Sequence, residues 1–207
     1  FQDDLPEIEN HPNFYENEFV RTEPFRLWPF ANMLSAITCY VFFQKLHLLD
    51  PISAHNIVIP ILVSVLLYAV FRFVCKYWGS TAALLSMITL ITFPRFFGHT
   101  FNNVKDVPQV VLFSITIVIF TEWLRTQKLR YLYFAFIVWG LNLATKVDAI
   151  MVPSIIVIWQ APTIIRCIVR NCTVKVNTIL TLFVGFIISG IVFVAVFPPL
   201  LQIRYVE

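Results

Sequence analysis

The chain alternates between apolar runs and short polar connectors. Six runs, at residues 54–76, 81–93, 107–124, 131–145, 149–165 and 177–197, predict helices. Several approach the roughly 20 residues that cross a bilayer. The run at 81–93 is short and is expected to extend at either end. Pro153 and Pro162 predict a bend in the fifth run, because proline removes a backbone donor and crowds the preceding turn. Asp50-Pro51-Ile52-Ser53 and Trp78-Gly79-Ser80 read as turns, with Ser53 a candidate cap for the next helix.

Residues 27–49 have a different pattern. They are apolar enough to span, but Asn32, Ser35, Thr38, Gln44, Lys45 and His47 are scattered through them. Asn32, Ser35 and Thr38 fall on one helical stripe, and Trp28 and Tyr40 suit a membrane interface. A helix lying along the membrane surface fits better than a crossing, which stays as the alternative. Residues 1–26 carry seven acids and two arginines, and Pro6, Pro12 and Pro24 break any long helix. Such a segment belongs in water.

Composition agrees. The chain is 58% hydrophobic and 13% charged, with mean hydropathy +0.78, whereas soluble domains are about half apolar and a quarter charged. The predicted fold class is all-α, a multi-pass transmembrane helical bundle of about six spanning helices plus an interfacial helix. Residues 1–53 form an outer-face acidic loop with that helix, and residues 54–207 form the bundle. The chain opens on Phe1 without a signal peptide, and an upstream membrane helix is expected. Cys39, Cys75, Cys167 and Cys172 form no C-x-x-C pair and read as small buried side chains.

Charge sets the orientation. Arg72, Lys76, Arg125, Lys128, Arg130, Arg166, Arg170 and Lys175 fall on connectors of one side. The other side holds Arg95, Lys105, Lys146 and Arg204 with Asp106, Asp148 and Glu207. Short cytoplasmic loops are rich in Lys and Arg, so the first set faces the cytoplasm. The acidic N-terminus, the 93–108 segment and the Lys146 turn then share the outer face. Asn171-Cys172-Thr173 fits a glycosylation acceptor, but it falls on the cytoplasmic side and reads as chance.

The 93–108 segment is more polar than a turn between helices requires. It holds Arg95, His99, Asn102, Asn103, Lys105 and Asp106 between Pro94 and Pro108, and reads as a rigid polar pocket at the bilayer edge. Lys146 and Asp148 end another apolar run on the same side. Ionisable groups at such positions mark substrate paths, and cations there suit an anionic lipid headgroup such as a phosphate. The bland alternative is interfacial anchoring by local ion pairs. His99 could serve as base, phosphate donor or structural histidine, and His55 has a similar balance. No cofactor is expected. A divalent metal is a minor possibility, since His99 and Asp106 lack the spacing of a metal motif. There is no nucleotide-binding glycine loop and nothing that points to nucleic acid.

The run Pro94-Arg95-Phe96-Phe97-Gly98-His99-Thr100-Phe101-Asn102-Asn103-Val104-Lys105-Asp106-Val107-Pro108 resembles a loop of polytopic GT-C membrane glycosyltransferases. These are the dolichyl-phosphate-mannose–protein mannosyltransferases and their aminoarabinose-transferase relatives. Gly79 before Ala83-Leu84-Leu85, and Gly140 before Ala144-Thr145-Lys146, resemble two further family segments. The resemblance covers about residues 50–160. It implies transfer of a sugar from a polyprenyl- or dolichyl-phosphate donor to an unidentified acceptor on the outer face, in a bacterial plasma membrane or the endoplasmic reticulum. Arg95 and Lys105 would face the donor phosphate with Lys146 nearby, and Asp106 would orient Lys105. His99, Asn102, Asn103 and Asp148 complete the binding candidates. The family's catalytic Asp follows its first membrane helix; Asp3 and Asp4 are candidates for it, with Asp106 the other carboxylate. Alternative readings are a transporter component or a non-catalytic membrane subunit.

Overall fold

The computed structural model describes residues 30–156, 158–159 and 176–196, and every regular element among them is helical. The acidic segment with Asp3 and Asp4, and the basic connector with Arg166 and Arg170, lie outside the described residues. Helix α1 covers Phe30–Cys39 and runs into a π-helical segment, Tyr40–Lys45. Helices α2, Pro51–Asn56, and α3, Val58–Trp78, follow almost without a break. The others are α4, Ser80–Thr92; α5, Pro94–His99; α6, Asp106–Thr126; α7, Leu129–Leu143; and α8, Val176–Val196. A 3-10 turn, Val147–Ile150, leads from α7 into a returning helical stretch described over residues 151–156 and 158–159.

Local chemistry explains the boundaries. Asp50, not Ser53, caps α2: its carboxylate accepts the Ser53 N–H at 3.0 Å, and Pro51 stands at the first helical position. Proline suits that position because the N–H it lacks would have no intrahelical partner. Gly79 is at once the last cap of α3 and the first cap of α4, at φ 87° and ψ 171°. That combination is essentially restricted to glycine, so one residue reverses the chain. Pro94 and Pro108 also begin helices rather than merely fencing a loop: each sits in a first turn, where proline is tolerated.

The helices form a row. Helix α4 folds back on α3, α3 packs on α6, α6 on α7 and α7 on α8. Val58, Ile59, Val63 and Leu66 of α3 meet Val107 and Val111 of α6, while Lys76 near the end of α3 meets Glu122 near the end of α6. The two therefore run parallel. Helix α7 returns, and its Leu132, Phe136 and Trp139 pack with Phe120 of α6 and Val152 of the returning segment. Helix α8 is parallel to α7 and close to it. A Cβ added at Gly140 would lie 2.7 Å from the Ser189 carbonyl oxygen, and one added at Gly185 would strike the Phe136 ring. Backbones approach this closely only where side chains are absent.

Two stretches, Pro51–Trp78 and Asp106–Thr126, are long and apolar enough to cross a membrane. At 28 and 21 residues they reach about 42 and 32 Å, against a hydrocarbon core of about 30 Å. Ser80–Thr92 and Leu129–Leu143 are apolar but shorter; the extension expected of the former is interrupted at Phe93, whose ψ of 110° leaves the helix. Leu84, Leu85, Ile88 and Ile91 of α4 point outward, a contiguous apolar face of the kind that meets lipid. The 27–49 stretch is not one helix: it breaks after Lys45, and His47 adopts φ 49°.

Candidate functional site

The row has two polar ends. One gathers the starts of α3 and α6, the helix α5, and the turn after α7. Here the segment between α4 and α6 begins with a helix. Pro94–His99 forms α5, and the chain then turns into α6 through Asn103. Asn103 organises that turn. Its side-chain oxygen accepts the N–H groups of Lys105 and Asp106 at 3.2 and 2.9 Å, and its amide nitrogen donates to Asp106 Oδ2 at 3.0 Å. Asx side chains do this wherever a backbone needs a local partner. Asn103 thus has a structural task.

Asp106 connects the segment to α7. Lys146 Nζ donates to Asp106 Oδ1 at 2.9 Å and lies 3.4 Å from Asp148 Oδ2. One ammonium bridges two carboxylates on two elements. The hydrogen bond to Asp106, with a smaller contribution from Asp148, pushes Lys146 above the ordinary lysine pKa of 10.5, against a modest desolvation effect. Lys105, expected to pair with Asp106, does not. Adjacent residues at a helix start project in different directions, and both Asp106 oxygens are already engaged.

Arg95 and Lys105 make no ion pair among the described residues. They, with His99, Asn102 and Asp106, are exposed, so the polar stretch presents an open shelf. Hydrogen bonds from Asn103 and then Lys146 hold the Asp106 carboxyl below its ordinary pKa. The Lys146 turn is itself braced: Trp139 Nε1 donates to the Ala149 carbonyl at 2.8 Å, and Phe30 N–H to the Ala144 carbonyl at 3.2 Å. The second bond brings the start of α1 to the same end. Asn142, one turn before Lys146, is fully buried, and its amide meets no partner among the described residues. Among those residues no three His, Cys, Asp or Glu side chains converge as a metal site would need.

Sequence reasoning missed the other end. Glu122, counted as part of an apolar crossing, is buried and accepts hydrogen bonds from Lys76 and, at 2.7 Å, from Tyr77 Oη. Arg125 lies over the Tyr77 ring at 4.2 Å and the Trp78 ring at 5.3 Å. The signal was the spacing of Glu122 and Arg125, one turn apart on α6, opposite the Lys76-Tyr77-Trp78 cluster.

These features define a class: a helical membrane protein with a charged shelf at one end of its bundle. The chain belongs to the dolichyl-phosphate-mannose-protein mannosyltransferase family, whose family model matches residues 29–196. Membership implies a membrane glycosyltransferase that uses a dolichyl-phosphate sugar. No curated protein and no solved structure matches the chain.

Proposed function

We propose that the chain moves a sugar from a polyprenyl-phosphate donor to an acceptor on the outer face of its membrane, at the shelf between α5, α6 and the Lys146 turn. In this reading about six helices cross, residues 1–53 lie on the outer face, and residues 54–207 form the bundle. The acceptor hydroxyl attacks the anomeric carbon, the bond from that carbon to the phosphate oxygen breaks, and the lipid phosphate leaves with the electron pair. A carboxylate takes the hydroxyl proton. Cations aimed at the leaving phosphate stabilise the charge that develops there. Arg95 and Lys105 suit that task, because no carboxylate among the described residues pairs with them. His99 and Asn102 supply further hydrogen-bond donors. Lys146, held by Asp106 and Asp148, fixes the shelf and borders the phosphate. Asp3 and Asp4 remain the candidates for the base.

The observation that carries this reading is the Lys146–Asp106 contact at 2.9 Å. It joins the two segments that resemble the family's charged loops at one end of the bundle. The test is transfer from polyprenyl-phosphate sugars by purified full-length protein. Lys105→Ala is expected to lose about 100-fold or more, the usual cost of one oriented donor to a developing anion. Asp106→Asn, which weakens the link to Lys146, is expected to lose less. Full rates from both variants would remove the shelf from the mechanism, and solute uptake without transfer would replace the reading by a transporter.

A further inference from the structure

The opposite end of the row presents a second charged surface that glycosyl transfer does not use. Arg72, Arg125, Lys128 and Arg130 are exposed there and make no ion pair among the described residues. The one carboxylate described at this end, Glu122, is already occupied by Lys76 and Tyr77. The cations are not loosely held. The Arg125 guanidinium lies 4.2 Å from the Tyr77 ring centroid and 5.3 Å from that of Trp78, and Arg130 lies 4.9 Å from the Tyr131 centroid and donates one N–H to Tyr131 Oη at 3.3 Å. A guanidinium carries five N–H donors, so one set against an aromatic ring still has donors left for a phosphate.

We propose that this end binds the headgroup of an anionic phospholipid in the leaflet it faces. Two observations favour a lipid over a soluble phosphate. Trp78 and Leu129 are 59% and 50% exposed beside the cations, an arrangement with no use for a small anion in water. Indole rings next to cations match the boundary between headgroups and acyl chains. The surface also closes the helix ends: Trp78 ends α3, Arg125 lies in the last turn of α6, and Lys128 leads into α7. A bound headgroup would therefore touch three helices at once.

The test uses the full-length protein in phosphatidylcholine vesicles with and without phosphatidylglycerol, and counts lipids retained after extraction by native mass spectrometry. Wild type is expected to retain phosphatidylglycerol in preference. Lys128→Gln with Arg130→Gln should reduce that preference about fivefold per cation removed, and the charge-preserving Lys128→Arg should retain it. An unchanged thermal midpoint of the double Gln variant in phosphatidylcholine shows that its fold is intact; if it does not fold, each single variant is measured instead. Equal retention of the two lipids by wild type, or undiminished preference in the Gln variants, overturns the proposal. Displacement of phosphatidylglycerol by inorganic phosphate alone would also overturn it, since the site would then be an anion site and not a lipid site.

Discussion

Gly140→Ala offers a test of the helix packing that positions Lys146. A Cβ at residue 140 would sit 2.7 Å from the Ser189 carbonyl oxygen and 2.9 Å from Val192 Cβ. The oxygen belongs to a helical backbone and cannot swing aside, so α7 or α8 must shift. Forcing a methyl into such a contact costs about 1–3 kcal/mol. Alanine returns roughly 0.5–1 kcal/mol through the lower chain entropy of the unfolded state. The net expectation is a loss of about 0–2.5 kcal/mol, or up to roughly 10 °C in thermal midpoint for a chain of this size. Gly190→Ala is the control: it lies on α8 with nothing within 4 Å of its added Cβ, so only the entropic gain applies and the midpoint should hold or rise. Thermal unfolding of both variants in the same detergent decides the matter. If Gly140→Ala behaves like Gly190→Ala, the helices do not approach as described.

Two further outcomes are expected. Gly79→Ala should lower stability by about 1–3 kcal/mol although the site has open space, because φ 87° with ψ 171° suits no side-chain-bearing residue; a wild-type midpoint would mean the turn has another conformation. The Lys146–Asp106 link should respond to alkali. Lys146 is raised when folded, so its contribution is complete below the unfolded lysine pKa of about 10.4 and is lost as pH rises through the higher folded value. As the pair is solvent-exposed, the gap in midpoint between wild type and Lys146→Met should correspond to at most about 1 kcal/mol; it should be constant near neutrality and close only in strong alkali. A gap that closes below pH ~9 would point to another titrating group.

The helices were legible because apolar runs interrupted by Pro, Gly and charge leave few other choices. Gly79 was readable as a turn, though not as a single-residue one. The end of α4 was readable to within a residue, since Pro94 follows it; that the chain resumes as α5 at once was not, because Pro94 was taken to stop a helix and not to start one. Ser53 was read as the cap, yet it is the Asp50 carboxylate that accepts the Ser53 N–H; both residue types cap helices, and the sequence alone does not say which side chain reaches which N–H. At the shelf, the residue types were readable and the pairing was not. Lys105 and Asp106 are neighbours in sequence, yet the partner of Asp106 lies 40 residues away. Gly140, noticed as part of a motif, has a packing role that depends on α8, an element no local pattern connects to it. Glu122 was overlooked because one acid within an apolar run does not disturb hydropathy.

Helix α6 is keyed at both ends. Asp106 and Glu122 are 16 residues apart, which at 100° per residue puts them about 160° apart around the axis. One carboxylate engages the turn after α7, the other engages α3, from nearly opposite sides. Turning α6 about its axis, or sliding it by a residue, would strip both engagements together. The shelf is therefore registered, through a single rod, against the far end of the helix row.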